Sequence, residues 1–353
     1  MSVASDGSFY TVYRLSLSTS LKACSRCGIL YYCSLSCRIW DWKKYHKYGE
    51  CGTFQQAIQI RSESFFHNDA AMFLLRLYLL VKVDPGIVDQ EVDLPGGKRR
   101  SFSQMEDRSE SMFHAEWSIK MMIETMRDLK PLIPDMDLPL IRKLHAAAQY
   151  YSLKVLSPGM QHIGSAVYVE TSILHHSCRP NATTVWQGNT IDVRTVKRID
   201  PGDKITVSLV DLRMRTEERR KFLCDRYFMY CTCDRCSKSD DPPMHEVDAL
   251  HDKLRSSANN VAGRKVVNQM GIMFQNFHSC FLCQQKVYGK YHPVLTVHMV
   301  IFARQLMQYD YRSGNRGKQV TDFFRSLNQA IRVTHGDQHP LFQEFLPIFQ
   351  LLK

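Results

Sequence analysis

Hydrophobic positions along the chain follow two spacings, which predict helices in some regions and strands in others. Residues 54–93 carry apolar side chains at helical spacing, and within them residues 70–81 are apolar on nearly every side. A helix without a polar face packs inside a protein, so this run is predicted to be buried. Helical spacing returns over 112–129, and three prolines then interrupt the chain: Pro131, Pro134 and Pro139. The stretch 54–140 is therefore predicted to be mostly helix. Its segment 94–100 is predicted to be a loop whose basic triplet at 98–100 is a solvated turn rather than a localisation signal.

Strand patterns are found near the start and in the middle of the chain. Residues 9–13 are rich in aromatic and β-branched side chains, which is typical of a strand. Residues 183–193 form two β-rich segments around Gly188 and Asn189, a pair typical of a two-residue hairpin. Farther along, residues 199–208 read as a turn that leads into a β-branched strand.

The final third of the chain is predicted to be helical. A helix is expected to start with Thr216 as its N-cap, because two glutamates follow in the first turn. Beyond Cys236, two similar segments at 286–293 and 333–340 both end in His-Pro and stand between pairs of predicted helices. Their separation of about 45 residues is within the range of helical repeats. We interpret the pair Cys280 and Cys283, which has no second ligand pair nearby, as core thiols.

Composition narrows the class of protein. The chain has 353 residues, 44% of them hydrophobic, which is enough for two or three domains with a sizeable core. No apolar run approaches the length of a membrane span, and no secretory signal is visible at the start. We therefore expect a cytoplasmic and nuclear protein in which the twelve cysteines are thiols or metal ligands. The net charge of +11 favours acidic partners, with weak DNA binding as one alternative.

A cluster of potential metal ligands lies within 28 residues near the start of the chain. It reads Cys24-x2-Cys27-x5-Cys33-x3-Cys37-x8-His46-x4-Cys51. Paired cysteines followed by a histidine and another cysteine suit tetrahedral zinc, because neighbouring turns can present two thiolates to one ion. Six unrelated residues would rarely fall into such a short window.

A second cluster is divided between two places. Cys231, Cys233 and Cys236 supply three thiols, whereas a closed structural zinc site needs four ligands. Cys178, about fifty residues earlier and beside His175 and His176, is the expected fourth ligand.

These residues carry a resemblance to a known family. The stretch 175–181, His-His-Ser-Cys-Arg-Pro-Asn, resembles the Asn-His-Ser-Cys-x-Pro-Asn signature of SET-domain protein-lysine methyltransferases, and the thiols that follow resemble their post-SET segment. The cluster that starts at Cys24 resembles a MYND zinc finger. The chain is thus similar to the SET-and-MYND branch from about Ala23 onward.

The resemblance implies an α+β fold: a small β-fold SET core with a helical insertion, a MYND finger and a C-terminal helical, tetratricopeptide-like domain. It divides the chain into a residual N-terminal SET strand region at 1–22, a MYND finger at 23–53, a helical insertion at 54–140, a SET core at 141–223, a post-SET zinc segment at 224–238 and a C-terminal helical domain at 239–353.

In the MYND pattern two zinc ions share eight ligands. The resemblance assigns one ion to Cys24, Cys27, His46 and Cys51, although each gap flanking the histidine is one residue longer than usual. Cys33 and Cys37 would pair with two upstream cysteines, and no Cys or His occurs before Cys24. Together with the lack of a Gly-x-Gly cofactor loop in residues 1–22, this leads us to expect a chain truncated or spliced at its N-terminus.

The implied activity is methyl transfer from S-adenosylmethionine to a lysine of a protein or peptide, with histones among the candidates and zinc as a structural ion. The resemblance implies cofactor contacts from His175, His176, Tyr227 and Met229, with Tyr227 also catalytic. Leu209 stands where the branch has a tyrosine. Loss of such an orienting hydroxyl costs about a hundredfold in rate, so we expect weak or lost activity.

Two other departures from the family pattern also favour weak or lost activity. His175 replaces the asparagine that opens the signature, and Tyr151 aligns with a further cofactor-binding asparagine. The alternative is a non-catalytic scaffold that binds Pro-rich peptides at the finger and a chaperone or other partner at the helical domain. In either case we expect a monomer. An aromatic and basic surface of the finger would contact peptide or nucleic acid, or its aromatic side chains would pack on the SET core beside a solvated basic face: Trp40, Trp42, Lys43, Lys44 and Lys47.

Overall fold

The structure is a computed structural model of the full chain. It describes residues 2–3, 9–12, 21–94, 97–157, 162–187, 190–239, 241, 277–278, 281–282, 284–310 and 318–352. These residues form two compact units. The first contains Met1–Val155, His162–Ile173 and Phe222–Tyr230, and the second contains Leu156–Gln161, Leu174–Lys221 and Cys231–Lys353.

The first unit contains a four-stranded sheet in the order β1-β2-β8-β7. Its strands are β1 (Ser2–Val3), β2 (Phe9–Val12), β7 (Leu153–Leu156) and β8 (His162–Val167). The strand predicted over 9–13 is confirmed, and β2 pairs antiparallel with β8, with Phe9 opposite Val167. Two short ribbons, β3 (Lys22–Ala23) with β4 (Tyr31–Tyr32) and β5 (Val92–Leu94) with β6 (Lys98–Arg100), are also antiparallel.

Helices supply most of the core of the first unit. They are α1 (Leu35–Asp41), α2 (Glu50–Gln59), α3 (Glu63–His67), α4 (Asp69–Val83), α5 (Glu116–Leu129) and α6 (Leu138–Tyr151), with a π-helix at Trp42–His46 between α1 and α2. As predicted, α4 is buried over most of its surface, because its apolar residues pack towards several neighbouring helices. The buried residues of α4 include one charged side chain, that of Arg76.

Two local predictions in these helical regions are corrected. The basic triplet at 98–100, which we interpreted as a turn, forms strand β6, because Val92 and Leu94 on the opposing strand β5 are buried and fix the register. Pro139 does not break the chain but lies in the first turn of α6, where its missing N–H leaves no helical hydrogen bond unmade.

The second unit places the signature stretch between short strands. Strands β10 (Ala182–Gln187) and β11 (Thr190–Thr195) form the predicted hairpin, with Gln187 opposite Thr190. Strands β9 (His175–His176) and β12 (Thr206–Val207) pair in parallel. The turn and strand predicted over 199–208 are therefore confirmed, and β12 pairs with the first two residues of the signature, His175 and His176.

Helices follow in the predicted order. They are α7 (Thr216–Tyr227), α8 (Asp234–Ser237), α9 (Pro293–Asp310), α10 (Lys318–Thr334) and α11 (Pro340–Gln350). Thr216 is the first residue of α7 and not its cap, and the Glu218 carboxylate accepts the backbone N–H of Arg215 at 2.8 Å. The two His-Pro segments separate helices as predicted, since Pro293 and Pro340 each begin a helix. Cys280 and Cys283 lie outside the described residues.

The C-terminal helices contact the hairpin within this second unit. The Arg194 guanidinium of β11 donates to the backbone carbonyls of Arg332 and Val333, at 2.8 and 3.0 Å, in the last turn of α10. Helix C-termini favour such cations, because their last carbonyls lack helical partners. Among the described residues, no helix is long and apolar enough to cross a membrane.

Candidate metal centres and signature loop

The first metal cluster is built on a tight turn and two helical segments. Between β3 and β4, the backbone N–H of Cys24 donates to the Leu30 carbonyl at 2.7 Å, and Gly28 closes the turn with a φ of +71°. A left-handed backbone of this kind favours glycine. The π-helix then brings in His46, and α2 brings in Cys51.

The ligand atoms of Cys24, Cys27, His46 and Cys51 all lie within 4.8 Å of one another, and all four residues are buried. The Cys27 Sγ and His46 Nε2 atoms are 3.4 Å apart. Zinc bonds of roughly 2.3 Å to sulfur and 2.0 Å to nitrogen place such atoms about 3.6 Å apart in a tetrahedron. The predicted ligand set therefore fits a zinc ion, and the longer gaps around His46 do not prevent it.

The thiols of this cluster show why a cation belongs there. Burial and the neighbouring charges of Cys27 and Cys24 raise the pKa of Cys51 to about 12. Burial would also raise the pKa of Cys27, but hydrogen bonds from His46 and from backbone amides lower it to about 6. A bound cation replaces the repulsion between thiolates by attraction and so deprotonates all three thiols.

A buried polar network lies behind His46. The Nδ1 atom of His46 is 2.8 Å from Glu50 Oε2, and the Glu50 carboxylate also binds the Arg76 guanidinium. Burial would raise the pKa of Glu50, but Arg76 and His46 lower it to about 2, so the carboxylate is ionised. Arg76 donates in addition to Asp41, whose other oxygen accepts the Tyr32 hydroxyl at 2.7 Å.

Cys33 and Cys37 do not join this cluster. Their Sγ atoms are 3.3 Å apart on an exposed surface, and no third ligand completes a group with them within the part of the chain that the structure describes. Trp40 packs against Tyr45, at 5.7 Å between ring centroids, and Trp42 packs against His46 at 5.8 Å. The neighbouring lysines are exposed, so the tryptophans contribute to the finger itself beside a solvated basic face.

The second cluster confirms that Cys178 lies with the three later thiols. The sulfurs of Cys178, Cys231, Cys233 and Cys236 lie within 4.8 Å of one another. Cys178 Sγ is 4.0 Å from Cys231 Sγ and 3.5 Å from Cys236 Sγ. Tetrahedral zinc separates two sulfurs by about 3.8 Å, so these distances fit a closed four-thiolate site. Such a site joins the signature loop to the post-SET segment.

Arginines surround the second cluster. The fully buried Arg219 side chain lies 3.5 Å from Cys236 Sγ and donates to Asp241 at 2.8 Å. The Arg220 guanidinium donates to the backbone carbonyls of Cys231 and Cys236, at 3.2 and 3.0 Å. Arg235 is also buried and donates to a backbone carbonyl at 3.0 Å. These cations offset the negative charge that four thiolates leave on a zinc ion.

The signature loop is held by its own side chains. Asn181 Oδ1 accepts the Thr206 backbone N–H at 2.8 Å, while Asn181 Nδ2 donates to the Lys204 carbonyl at 2.9 Å. His176 Nδ1 accepts the backbone N–H of Leu209 at 3.1 Å, and burial, followed by Arg219, lowers the pKa of His176 to about 4. His176 is therefore neutral, with a defined orientation.

The other predicted cofactor residues lie in different surroundings. His175 is exposed in β9 of the second unit. Tyr227 is buried in the first unit, where its ring lies 6.2 Å from that of Tyr150. Met229 of the same unit is half-buried, and its backbone N–H donates to the Leu223 carbonyl at 3.2 Å. Their roles in cofactor binding, and the catalytic role of Tyr227, stay predictions.

Sequence reasoning missed the polar residues behind the metal ligands. Glu50 lies four positions after His46, a spacing that brings two side chains together in a helix, and so could have been found. Arg76 is a charged residue in the middle of an apolar helix, which is itself a signal of a buried partner. Arg219 and Asp241 carried no such signal.

Two family models match the chain. Residues 15–51 match the MYND finger and residues 104–208 match the SET domain. N-lysine methyltransferase SMYD2 from Homo sapiens is 24% identical over 312 residues, covering 84% of this chain and 69% of the relative. Histone-lysine N-methyltransferase SMYD3 from Mus musculus is 28% identical over 222 residues, covering 62% of this chain and 50% of the relative.

These matches support the assignment of the chain to the SET-and-MYND family. SMYD2 from Gallus gallus is 25% identical over 258 residues, covering 68% of this chain and 55% of that protein. The chain thus spans between half and about two thirds of the length of these relatives. The matches confirm the predicted resemblance and the α+β fold, with a zinc-binding MYND finger and a SET domain of the methyltransferase type. The predicted domain boundaries are not tested by these matches.

Proposed function

We propose that this SET-and-MYND protein is an S-adenosylmethionine-dependent protein-lysine N-methyltransferase whose transfer step is slow. The family assignment supports the reaction class, and the relatives are named as lysine methyltransferases. The single observation behind the slow step is the position of Leu209, which lies two residues after strand β12 and donates its backbone N–H to His176. A leucine side chain offers no hydroxyl to a substrate.

Bound S-adenosylmethionine supplies an activated methyl group on its sulfonium. The protein has to align a neutral lysine amine with that methyl group and keep water away, so positioning accounts for most of the acceleration. His176 is neutral and fixed by Leu209 and therefore suits an uncharged orienting role. The tyrosine that the family carries in place of Leu209 would add one further hydrogen bond to the substrate side.

Methyl transfer to histones and to a lysine peptide library, measured with tritiated S-adenosylmethionine, tests the proposal. The Leu209→Tyr variant should transfer methyl groups on the order of a hundredfold faster than the parent chain. Leu209→Phe is the matched control, because it adds the ring without the hydroxyl and should stay close to the parent. Equal rates for the parent and the Leu209→Tyr variant, both well above background, would contradict a role for the missing hydroxyl.

A second candidate function is a non-catalytic scaffold, favoured by one surface of the finger. Leu35 and Ile39, one turn apart on α1, are 52% and 44% exposed, and Tyr31 of the preceding strand β4 is 59% exposed. Pro-rich peptides bind surfaces of this aromatic and apolar kind. Calorimetry separates the two functions: binding of S-adenosylmethionine favours the enzyme, whereas binding of a Pro-rich peptide without cofactor binding favours the scaffold.

The remaining predictions about partners and location rest on composition and charge. They are a monomeric state, weak DNA binding through the basic residues and a cytoplasmic and nuclear location. DNA retention that falls steeply with salt would support contact with phosphates, and absent retention would exclude it.

A further inference from the structure

We propose that Arg76 is a positioning residue for the first zinc site: acting through Glu50, it orients His46 and thereby sets how tightly the finger holds its ion. Arg76 belongs to α4, outside the 15–51 match to the MYND finger. The inference does not depend on the proposed methyl transfer. It assigns control of a metal site to a helix that follows the finger in the chain.

The Arg76 guanidinium is held in one orientation by three side-chain contacts. Its Nε donates to Glu50 Oε1 at 2.7 Å, its Nη2 donates to Glu50 Oε2, and its Nη1 donates to Asp41 Oδ1 at 2.8 Å. Arg76 is 5% exposed and Glu50 is 2% exposed, so solvent screens this pair very little. The two-pronged contact fixes the plane of the Glu50 carboxylate, as the fork of an arginine does and a lysine does not.

Glu50 passes this constraint to the metal ligand. Its Oε2 lies 2.8 Å from His46 Nδ1, and both Glu50 oxygens also accept from the Arg76 guanidinium, so the carboxylate is the acceptor and Nδ1 the donor. Nε2 is then the ring atom left to bind the ion, and it lies 3.4 Å from Cys27 Sγ, among the other ligands of the cluster. A carboxylate behind a metal-bound histidine fixes the ring and its tautomer, and removal of such a carboxylate typically weakens metal binding by about 10 to 100-fold.

A role in stability alone would make a different prediction. Arg76 also offsets the charges of Asp41 and Glu50, so its removal would destabilise the core whether or not zinc is bound. A purely structural Arg76 would change unfolding without changing zinc release from the folded protein. A positioning Arg76 would weaken the first zinc site and leave the second site, in the other unit, unchanged.

The test uses the full chain with both sites loaded. Zinc release to the chelating dye 4-(2-pyridylazo)resorcinol is followed for Glu50→Gln, Arg76→Lys and the double variant. Both single variants keep a polar side chain of similar size, and circular dichroism verifies that they are folded. The matched control is Tyr78→Phe, which removes a buried hydrogen bond of the same helix, between the Tyr78 hydroxyl and the Asp137 backbone N–H at 3.0 Å.

Cobalt substitution assigns the two phases of release. A site with three sulfurs and one nitrogen and a site with four sulfurs give different cobalt absorption bands, so each variant shows which site has changed. We expect the affinity of the first site to fall about 10 to 100-fold in Glu50→Gln and by a smaller factor in Arg76→Lys. The double variant should release zinc no faster than Glu50→Gln, because Arg76 acts through Glu50.

Three results would overturn the proposal. The first is a folded Arg76→Lys variant with the zinc release and cobalt spectrum of the parent. The second is additive loss in the double variant, which would mean that Arg76 acts independently of Glu50. The third is an equal weakening of the first site in Tyr78→Phe, which would assign the effect to the general stability of α4.

Discussion

The two zinc sites differ in the charge of the side chains behind their ligands. The Cys24 cluster has three thiolates and a histidine, and its outer residues are Glu50, Asp41 and Arg76. The Cys178 cluster has four thiolates, and arginines dominate its surroundings. A histidine ring can turn and change its tautomer, so the first site uses a carboxylate to orient it. Four thiolates have no tautomer to set but carry one more negative charge, so the second site uses cations.

The sites also differ in what they join. The first closes within 28 residues of chain, whereas the second joins Cys178 to Cys236, 58 positions later. Loss of the first ion should therefore affect mainly the finger, and loss of the second should release the post-SET segment from the signature loop. The following predictions, ordered by the size of their effect, test this contrast.

Cys178→Ser should have the largest effect. The change removes one of four ligands from the second site, where metal binding contributes on the order of 10 kcal/mol to folding. We expect zinc content, measured by atomic emission, to fall from two ions per chain to one, and the unfolding midpoint to fall strongly. Cys224→Ser is the control, since Cys224 is exposed and outside both clusters. Two ions retained by the Cys178→Ser variant would refute the four-thiolate site.

Arg219→Met should have the next largest effect on stability. The side chain is fully buried, and its removal leaves the thiolate of Cys236 without this cation and Asp241 with the more distant Arg235 guanidinium, 3.7 Å away. Loss of one partner of a buried charge pair costs about 3 to 5 kcal/mol, which urea unfolding measures. Arg213→Met removes an exposed ion pair with Asp211 and should cost under about 1 kcal/mol. Similar costs for the two variants would contradict charge compensation at the second site.

His145→Leu tests how much of the acid sensitivity of the first unit comes from a buried histidine outside the zinc sites. Burial, followed by Arg226, lowers the pKa of His145 to about 4 in the folded protein. Since an unfolded histidine titrates near about 6.5, stability from this group is complete above that pH and is lost as the pH falls towards 4.

By pH 5 this loss amounts to about 2 kcal/mol. Relative to the parent, the His145→Leu variant should therefore gain about 2 kcal/mol in free energy of unfolding between pH 8 and pH 5, measured by urea unfolding at both values. An unchanged difference between the two proteins would show that His145 takes up its proton equally in both states.

The double change Cys33→Ser and Cys37→Ser should have the smallest effect. These thiols are exposed and lie outside both four-ligand clusters, so zinc content should stay at two ions per chain. Release kinetics of both ions should also match the parent. A fall in zinc content would mean that this pair holds an ion of its own.

Much of the fold was predictable because its signals are local. The spacing of apolar residues identified α4 as buried, and the two β-rich segments around Gly188 identified the β10–β11 hairpin. The loop predicted at 98–100 is a strand instead, since pairing with β5 outweighs the local signal of its charged residues. Pairing between distant segments is the part that local patterns do not encode.

The sequence by itself determined the chemistry of both metal sites. Zinc needs four ligands, so counting thiols near Cys231 was enough to require a fourth from elsewhere, and Cys178, 53 residues earlier, was the obvious candidate. Only the tertiary structure decided which charged residues stand behind those ligands. Arg76 and Arg219 find their partners through the packing of helices, and a burial energy that depends on three-dimensional neighbours leaves no spacing rule in the chain.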